Sequence, residues 1–149
     1  MKFFKYIFKR SNIDKITEGN PKNTKLFHLL EEYINDNKYD NYKKVVAELT
    51  DGNALLVLPS KHDNDERFNT WDPVPEGHKI QLGIYIVDGL KATAAFTSKE
   101  ALFLWAKKPS MCVSIASKTF MKICEANDIN RIVVDSGLRT MIVLQRDDK

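Results

Sequence analysis

The stretch Thr93-Ala-Ala-Phe-Thr-Ser-Lys-Glu-Ala-Leu-Phe-Leu-Trp105 is the most specific part of this sequence. It predicts a short strand over residues 92–96 that runs directly into a helix. Thr97 and Glu100 have the spacing of a capping box, in which each side chain accepts a hydrogen bond from the other residue's amide. The helical spacing of the apolar residues predicts that Trp105 packs in the core. The stretch holds no nucleophile–base pair, metal-binding cluster or phosphate loop, so its importance is structural.

Apolar periodicity and turn residues predict the elements around this unit. The order is α-α-β-β-β-α-β-α-β-β, and Asp88-Gly89-Leu90 marks a β-hairpin. The predicted fold class is α/β (α+β), a single domain over residues 24–149 with a mixed sheet of five to six strands and four covering helices. Helices are expected over 26–34, 42–49, 98–107 and 117–124, and strands over 54–58, 81–87, 91–96, 111–115, 132–135 and 140–144.

Residues 1–23 are predicted to be a basic amphipathic segment followed by a linker. If residues 1–10 form a helix, their apolar side chains share one face, and the lysines lie off that face. Two interpretations remain open: the segment docks on the domain, or it binds a partner or a membrane surface as a peripheral contact. The side chains proposed for this interaction surface are Phe3, Phe4, Ile7 and Phe8, joined by Trp71 from elsewhere in the chain.

Charge and composition exclude several classes of protein. Residues 1–25 carry seven basic and two acidic side chains, whereas the rest of the chain has a net charge of −2. Because a nucleic-acid-binding domain normally carries a basic face, we expect no nucleic-acid partner. No apolar run is long enough for a membrane span, and the first residues lack the pattern of a secretory signal. We therefore expect a cytoplasmic protein in which Cys112 and Cys124 are reduced core residues.

The segment Ser60–Lys79 is polar and aperiodic, with Trp71 in a proline-stiffened stretch. A connector of this length is often functional or mobile, and we expect it to be mobile. Tryptophan is enriched at the energetic centres of interfaces, which is why Trp71 is a candidate contact residue. Imidazole and carboxylate groups also occur here, but without metal-binding spacing, so a solvated loop is the preferred interpretation. These groups are His62, Asp63, Asp65, Glu66 and His78.

Over residues 54–134 the chain resembles the SseB N-terminal-domain family of bacterial proteins. The resemblance rests on the strand ending at Pro59, the Asp88-Gly89 turn, the Phe96-Thr-Ser-x-Glu-x-Leu-x-x-Trp105 motif and the strand Arg131–Val134. It implies an α/β domain and carries over no catalytic residue. Asp135-Ser136 stands where the family tends to have Asn-Pro, and we expect the chain to lack the second domain that many members carry.

Taken together, the residues favour a non-catalytic protein-interaction or accessory module, and an immunity-like role against a toxin is one form of it. No catalytic, cofactor-binding or metal-binding residue is predicted. The partner is expected to be a protein, while its identity and the oligomeric state stay open. The alternative is a small-ligand binder or a hydrolytic enzyme with a pocket under the 60–79 connector.

Overall fold

The computed structural model describes residues 3–5, 21–59, 73, 80 and 82–146, and all structural statements refer to these. Its helices are α1 (Thr24–Asn35), α2 (Tyr39–Asp51), α3 (Lys99–Ala106) and α4 (Ser117–Ala126). Its strands are β1 (Phe3–Lys5), β2 (Leu55–Pro59), β3 (Tyr85–Val87), β4 (Leu90–Ala95), β5 (Cys112–Ala116), β6 (Arg131–Val134) and β7 (Ile142–Arg146). From α1 onward, this order is the predicted one, and the mixed α/β fold class is confirmed.

The main sheet has five strands in the order β1-β7-β6-β4-β3. β4 and β6 are parallel, and the other neighbouring pairs are antiparallel. β3 and β4 form the predicted hairpin, whose turn residues Asp88 and Gly89 both have positive φ, at 54° and 77°. These angles are those of a type I′ turn, whose twist matches that of the flanking strands.

The connection between the parallel strands β4 and β6 contains α3, β5 and α4. β5 does not enter the main sheet, because it pairs with β2 in a separate antiparallel sheet of two strands. One antiparallel bridge, between Val57 and Phe96, joins the two sheets. The single sheet expected from the sequence is therefore divided into two, and Phe96 lies at their junction.

The main core lies between the sheets and the helices α1, α2 and α4. Both faces of β2 are buried, as its continuous apolar sequence predicts. Tyr42 from α2 crosses this core, and its hydroxyl donates a hydrogen bond to the carbonyl oxygen of Val143 in β7 at 3.1 Å. Burial raises the pKa of the Tyr42 phenol, so the ring is a neutral core residue.

The helix predicted near the N-terminus is wrong for residues 3–5, because Phe3–Lys5 form β1. The backbone of this strand runs antiparallel to β7, with Phe4 opposite Gln145. An extended segment can use the free N–H and C=O groups at the edge of β7, and a helix cannot. Residues 1–2 and 6–10 lie outside the described part of the chain.

Two helix ends depend on local packing. Gly52 ends α2 with φ of −91°. A Cβ at this position would clash with the Glu48 carboxyl group and would lie 2.6 Å from the Glu48 carbonyl oxygen, so glycine is needed here for space. Ser117 begins α4 but makes no capping bond, and its buried hydroxyl has no hydrogen-bond partner among the described residues.

Candidate functional site

A buried carboxylate, Asp135, follows β6 directly and occupies the end of the main sheet where β4 also ends. Its Oδ1 accepts a hydrogen bond from the Thr97 amide at 2.8 Å. Its Oδ2 accepts bonds from the hydroxyl groups of Thr97, at 2.7 Å, and Thr140, at 2.6 Å. Burial raises the pKa of Asp135, and these three hydrogen bonds partly offset the increase.

Asn23 extends this buried polar cluster to the start of α1. Its side-chain amide donates to the carbonyl oxygens of Leu55 and Thr97, and its Oδ1 accepts from the Leu55 amide at 2.7 Å. The side chain thus connects three elements and makes no capping hydrogen bond to α1. Asp135 has no exposed atom and already accepts three hydrogen bonds, so we assign the cluster a structural role.

The start of α3 differs from the predicted capping box. Ser98, not Thr97, is the N-cap, and its hydroxyl accepts a hydrogen bond from the Ala101 amide at 3.0 Å. Thr97 has turned towards Asp135 instead. The two adjacent residues therefore have different roles: Ser98 caps the helix, and Thr97 binds the Asp135 carboxylate.

The outer side of α3 carries exposed apolar side chains. Leu104 is 50% exposed, Trp105 is 38% exposed, and Met111, just beyond the helix, is 42% exposed. The prediction that Trp105 packs in the core is therefore wrong. Its ring lies against buried Phe96 with a centroid distance of 5.3 Å and keeps its other side in solvent. We call Leu104, Trp105 and Met111 the α3 patch.

Three exposed lysines, Lys99, Lys107 and Lys108, lie along α3 and the turn that follows it. Lys107 ends the helix in the left-handed conformation, with φ of 64°. Burial raises the pKa of the Cys112 thiol, and the positive charge of Lys99 acts against that increase. Within the described chain, none of the three lysine side chains forms an ion pair.

A second exposed apolar surface lies on β3, at the edge of the main sheet. Ile84, Tyr85, Ile86 and Val87 are between 41% and 68% exposed, and Ile86 is the most exposed of them. Neither this surface nor the α3 patch was predicted from the sequence. Apolar alternation indicates a strand, but it does not show that the strand will be the last one in its sheet.

An open groove of about 430 Å³ lies between α1 and α2. Lys25, Lys44, Glu48 and Asp51 are among the residues that line it. Glu48 is buried, with its Oε1 3.7 Å from the Lys25 ammonium group and its Oε2 accepting a bond from the Asn53 amide. The charges of the groove thus largely neutralise one another, and they form no nucleophile–base pair.

The two cysteines are buried and free, as predicted. Burial raises the pKa of both thiols, that of Cys124 to about 12. Because the thiolate is the reactive form, burial makes both thiols poor nucleophiles. Across the described ranges, no group of three or more His, Cys, Asp or Glu side chains could hold a metal ion.

Most of the interaction residues proposed from the sequence lie outside the described part of the chain. Phe3 and Phe4 belong to β1, where only the backbone is described. Ile7, Phe8 and Trp71 lie outside the described residues, together with His62, Asp63, Asp65, Glu66 and His78. The expected mobility of residues 60–79 and the pocket beneath them stay predictions for the same reason.

Comparison with known proteins gives one match. The family model for the SseB protein N-terminal domain matches residues 26–148, which extends the resemblance seen over residues 54–134 in both directions. No curated protein and no solved structure gives a match. Among the described helices, none is long and apolar enough to cross a membrane.

Proposed function

Since this chain belongs to the SseB N-terminal domain family, we propose that it is a bacterial, cytoplasmic accessory module that binds an acidic protein through the α3 patch without catalysing a reaction. One observation carries the proposal: exposed apolar side chains, Trp105 among them, lie beside lysines that form no ion pair within the described chain. Neutralisation of a toxin by an immunity-like domain is one form that this function would take.

The α3 patch has the features of an interface centre. Aromatic and methionine side chains are enriched there, and a few of them supply most of the binding energy. Trp105 loses little freedom on binding, because its ring already rests against Phe96. Apolar contact would therefore supply affinity, while the lysines would select a partner with negative charge.

A protein partner suits this surface better than an anionic membrane does. Outside residues 1–25 the chain has a net charge of −2, so this part of the chain has no excess of positive charge for an anionic lipid surface. The lysines beside the α3 patch are a local exception to this acidic balance. A local cluster of positive charge is better matched by a small acidic patch on a protein than by an extended anionic surface such as a membrane.

Affinity capture from an extract of the native host, at low and moderate salt, tests the proposal. We expect an acidic partner to be retained by the intact chain and by Ile86→Lys, which changes the other apolar surface. Trp105→Ala and the double substitution Lys107→Glu/Lys108→Glu should lose it, and salt should weaken the binding. Equal retention by all four proteins would contradict the proposal, as would vesicle binding without any protein partner.

A further inference from the structure

The free edge of β3 is not protected against pairing with another strand. Ile84–Val87 contains no charged residue and no proline, two of the devices that keep an edge strand from pairing. All four side chains are exposed, and β3 is the last strand of the main sheet in the described part of the chain. Its outward N–H and C=O groups can therefore bind a further strand.

The hairpin register shows which backbone groups point outward. Val87 and Leu90 flank the two-residue turn and face each other, so the turn hydrogen bond joins them. Hydrogen-bonded and non-bonded pairs alternate along an antiparallel ladder, so Tyr85 also uses its backbone groups towards β4. The N–H and C=O groups of Ile84 and Ile86 must then face away from the sheet.

We infer that two copies of this chain pair through antiparallel β3 strands, related by a two-fold axis that passes beside Tyr85. In this register, Ile84 of each copy lies opposite Ile86 of the other, and these two pairs exchange the outward hydrogen bonds. An axis at Ile86 would instead place Ile84 opposite Asp88, a turn residue that is not extended. Of these two registers, only the Tyr85-centred one satisfies both isoleucines.

Side-chain chemistry favours a second copy over an unrelated strand. Tyr85 faces its own copy in the non-hydrogen-bonded position, where aromatic pairs stabilise a sheet. Asp88 lies opposite Leu82, so the two-fold brings no like charges together. The apolar side chains on each strand meet the same apolar side chains on the other, which is the self-complementarity that a two-fold interface requires.

The size of the contact predicts a dimer in equilibrium with the monomer. Stable interfaces usually bury roughly 800 Å² on each partner, and four residues of one strand supply less than that. Sedimentation velocity over a series of protein concentrations should show a reversible dimer. Ile86→Lys should raise the dissociation constant at least about tenfold without lowering the melting temperature, and Leu104→Lys, on the α3 patch, should leave dimerisation unchanged.

Cysteine cross-linking tests the register itself. Residues paired on the two-fold axis have Cα atoms about 4.5 Å apart, which a disulfide can span. Tyr85→Cys should therefore form a covalent dimer under mild oxidation. Val87→Cys is the matched control, because in this register the two cysteines lie about 13 Å apart. The native Cys112 and Cys124 are buried and should not interfere.

A monomer at every concentration would overturn the inference. Cross-linking of Val87→Cys as fast as that of Tyr85→Cys would overturn it too. Neither result bears on the α3 patch, because the two surfaces share no residue. Loss of dimerisation and loss of acidic-partner binding can therefore be told apart by Ile86→Lys and Trp105→Ala.

Discussion

The Thr97 hydroxyl donates a 2.7 Å hydrogen bond to the carboxylate of Asp135, although neither residue is accessible to solvent. The bond joins the end of β4 to the end of β6, the two parallel strands of the main sheet. Asp135 holds a left-handed backbone conformation, with φ of 55°, which aspartate tolerates better than most residues. This contact fixes the position from which α3 begins and therefore supports the α3 patch.

Replacing Thr97 should cost more stability than replacing the residue that caps α3. Thr97→Val keeps the hydrogen bond from the backbone N–H of residue 97 to Asp135 but removes the hydroxyl group. We therefore expect the free energy of unfolding to fall by about 1–3 kcal/mol. Ser98→Ala removes the cap and should cost about 1 kcal/mol. Urea unfolding of both variants checks this. If Thr97→Val were as stable as the parent, the assignment of the buried cluster to a structural role would be wrong.

The Asp135 carboxyl group should make stability depend on pH. Burial raises its pKa in the folded state above its ordinary value of 3.8, so the folded protein binds this proton more tightly than the unfolded chain does. Its contribution to stability is therefore complete below pH 3.8 and decreases as the pH rises through the folded pKa. Asp135→Asn removes this dependence.

The difference in unfolding free energy between the parent and Asp135→Asn, measured across acidic to neutral pH, isolates the effect. The variant should become more stable relative to the parent as the pH rises. Glu31 has the opposite effect on the pH dependence of stability, because a hydrogen bond from the Arg139 side chain lowers its pKa. Glu31 is present in both proteins, so its effect cancels in the difference. A difference in unfolding free energy that stays constant with pH would contradict a raised pKa of Asp135.

Trp105 should contribute little to stability compared with the ring beneath it. Phe96 is fully buried, so Phe96→Ala should cost about 3–5 kcal/mol by leaving a cavity. Trp105 is 38% exposed and rests on Phe96 from one side, so Trp105→Ala should cost less than about 2 kcal/mol. Chemical denaturation of the two variants gives the comparison. Equal losses would show that Trp105 is a core residue after all.

Gly52 and Gly89 should respond differently to substitution by asparagine. Gly52→Ala would place a Cβ 2.6 Å from the Glu48 carbonyl oxygen, and we expect a loss of about 1–3 kcal/mol. Gly89 has open space around it but a φ of 77°, so Gly89→Asn should be nearly neutral. Gly52→Asn should be at least as damaging as Gly52→Ala. Melting temperatures of the parent and the three variants show whether space or backbone conformation determines the cost of substitution at each site.

Local sequence patterns predicted much of the fold correctly. The i, i+3, i+4 spacing located α1, α2 and α4, because each buries one apolar face against the sheets. The continuous apolar sequence of β2 predicted a buried strand, and Asp88-Gly89 predicted the hairpin turn. These features are decided by neighbouring residues, which a single sequence displays directly.

The errors concern features decided by distant residues. Thr97 and Ser98 could both start α3, and Asp135, which lies 38 positions after Thr97, determines which of them does. The helical spacing of Trp105 does not show that nothing covers its outer side. β1 exists because β7, at the other end of the chain, leaves an edge free. Both exposed surfaces follow from such non-local arrangements, so the sequence did not reveal them.

Hydroxyl-radical footprinting of the chain, alone and with its captured partner, tests the central claim most directly. Tryptophan and methionine side chains react strongly, so the α3 patch carries its own probes in Trp105 and Met111. Tyr39 is 50% exposed on α2 and serves as an internal control. The proposal predicts that the partner slows oxidation of Trp105 and Met111 several-fold and leaves Tyr39 unchanged. Unchanged oxidation of Trp105 and Met111 in the complex would contradict it.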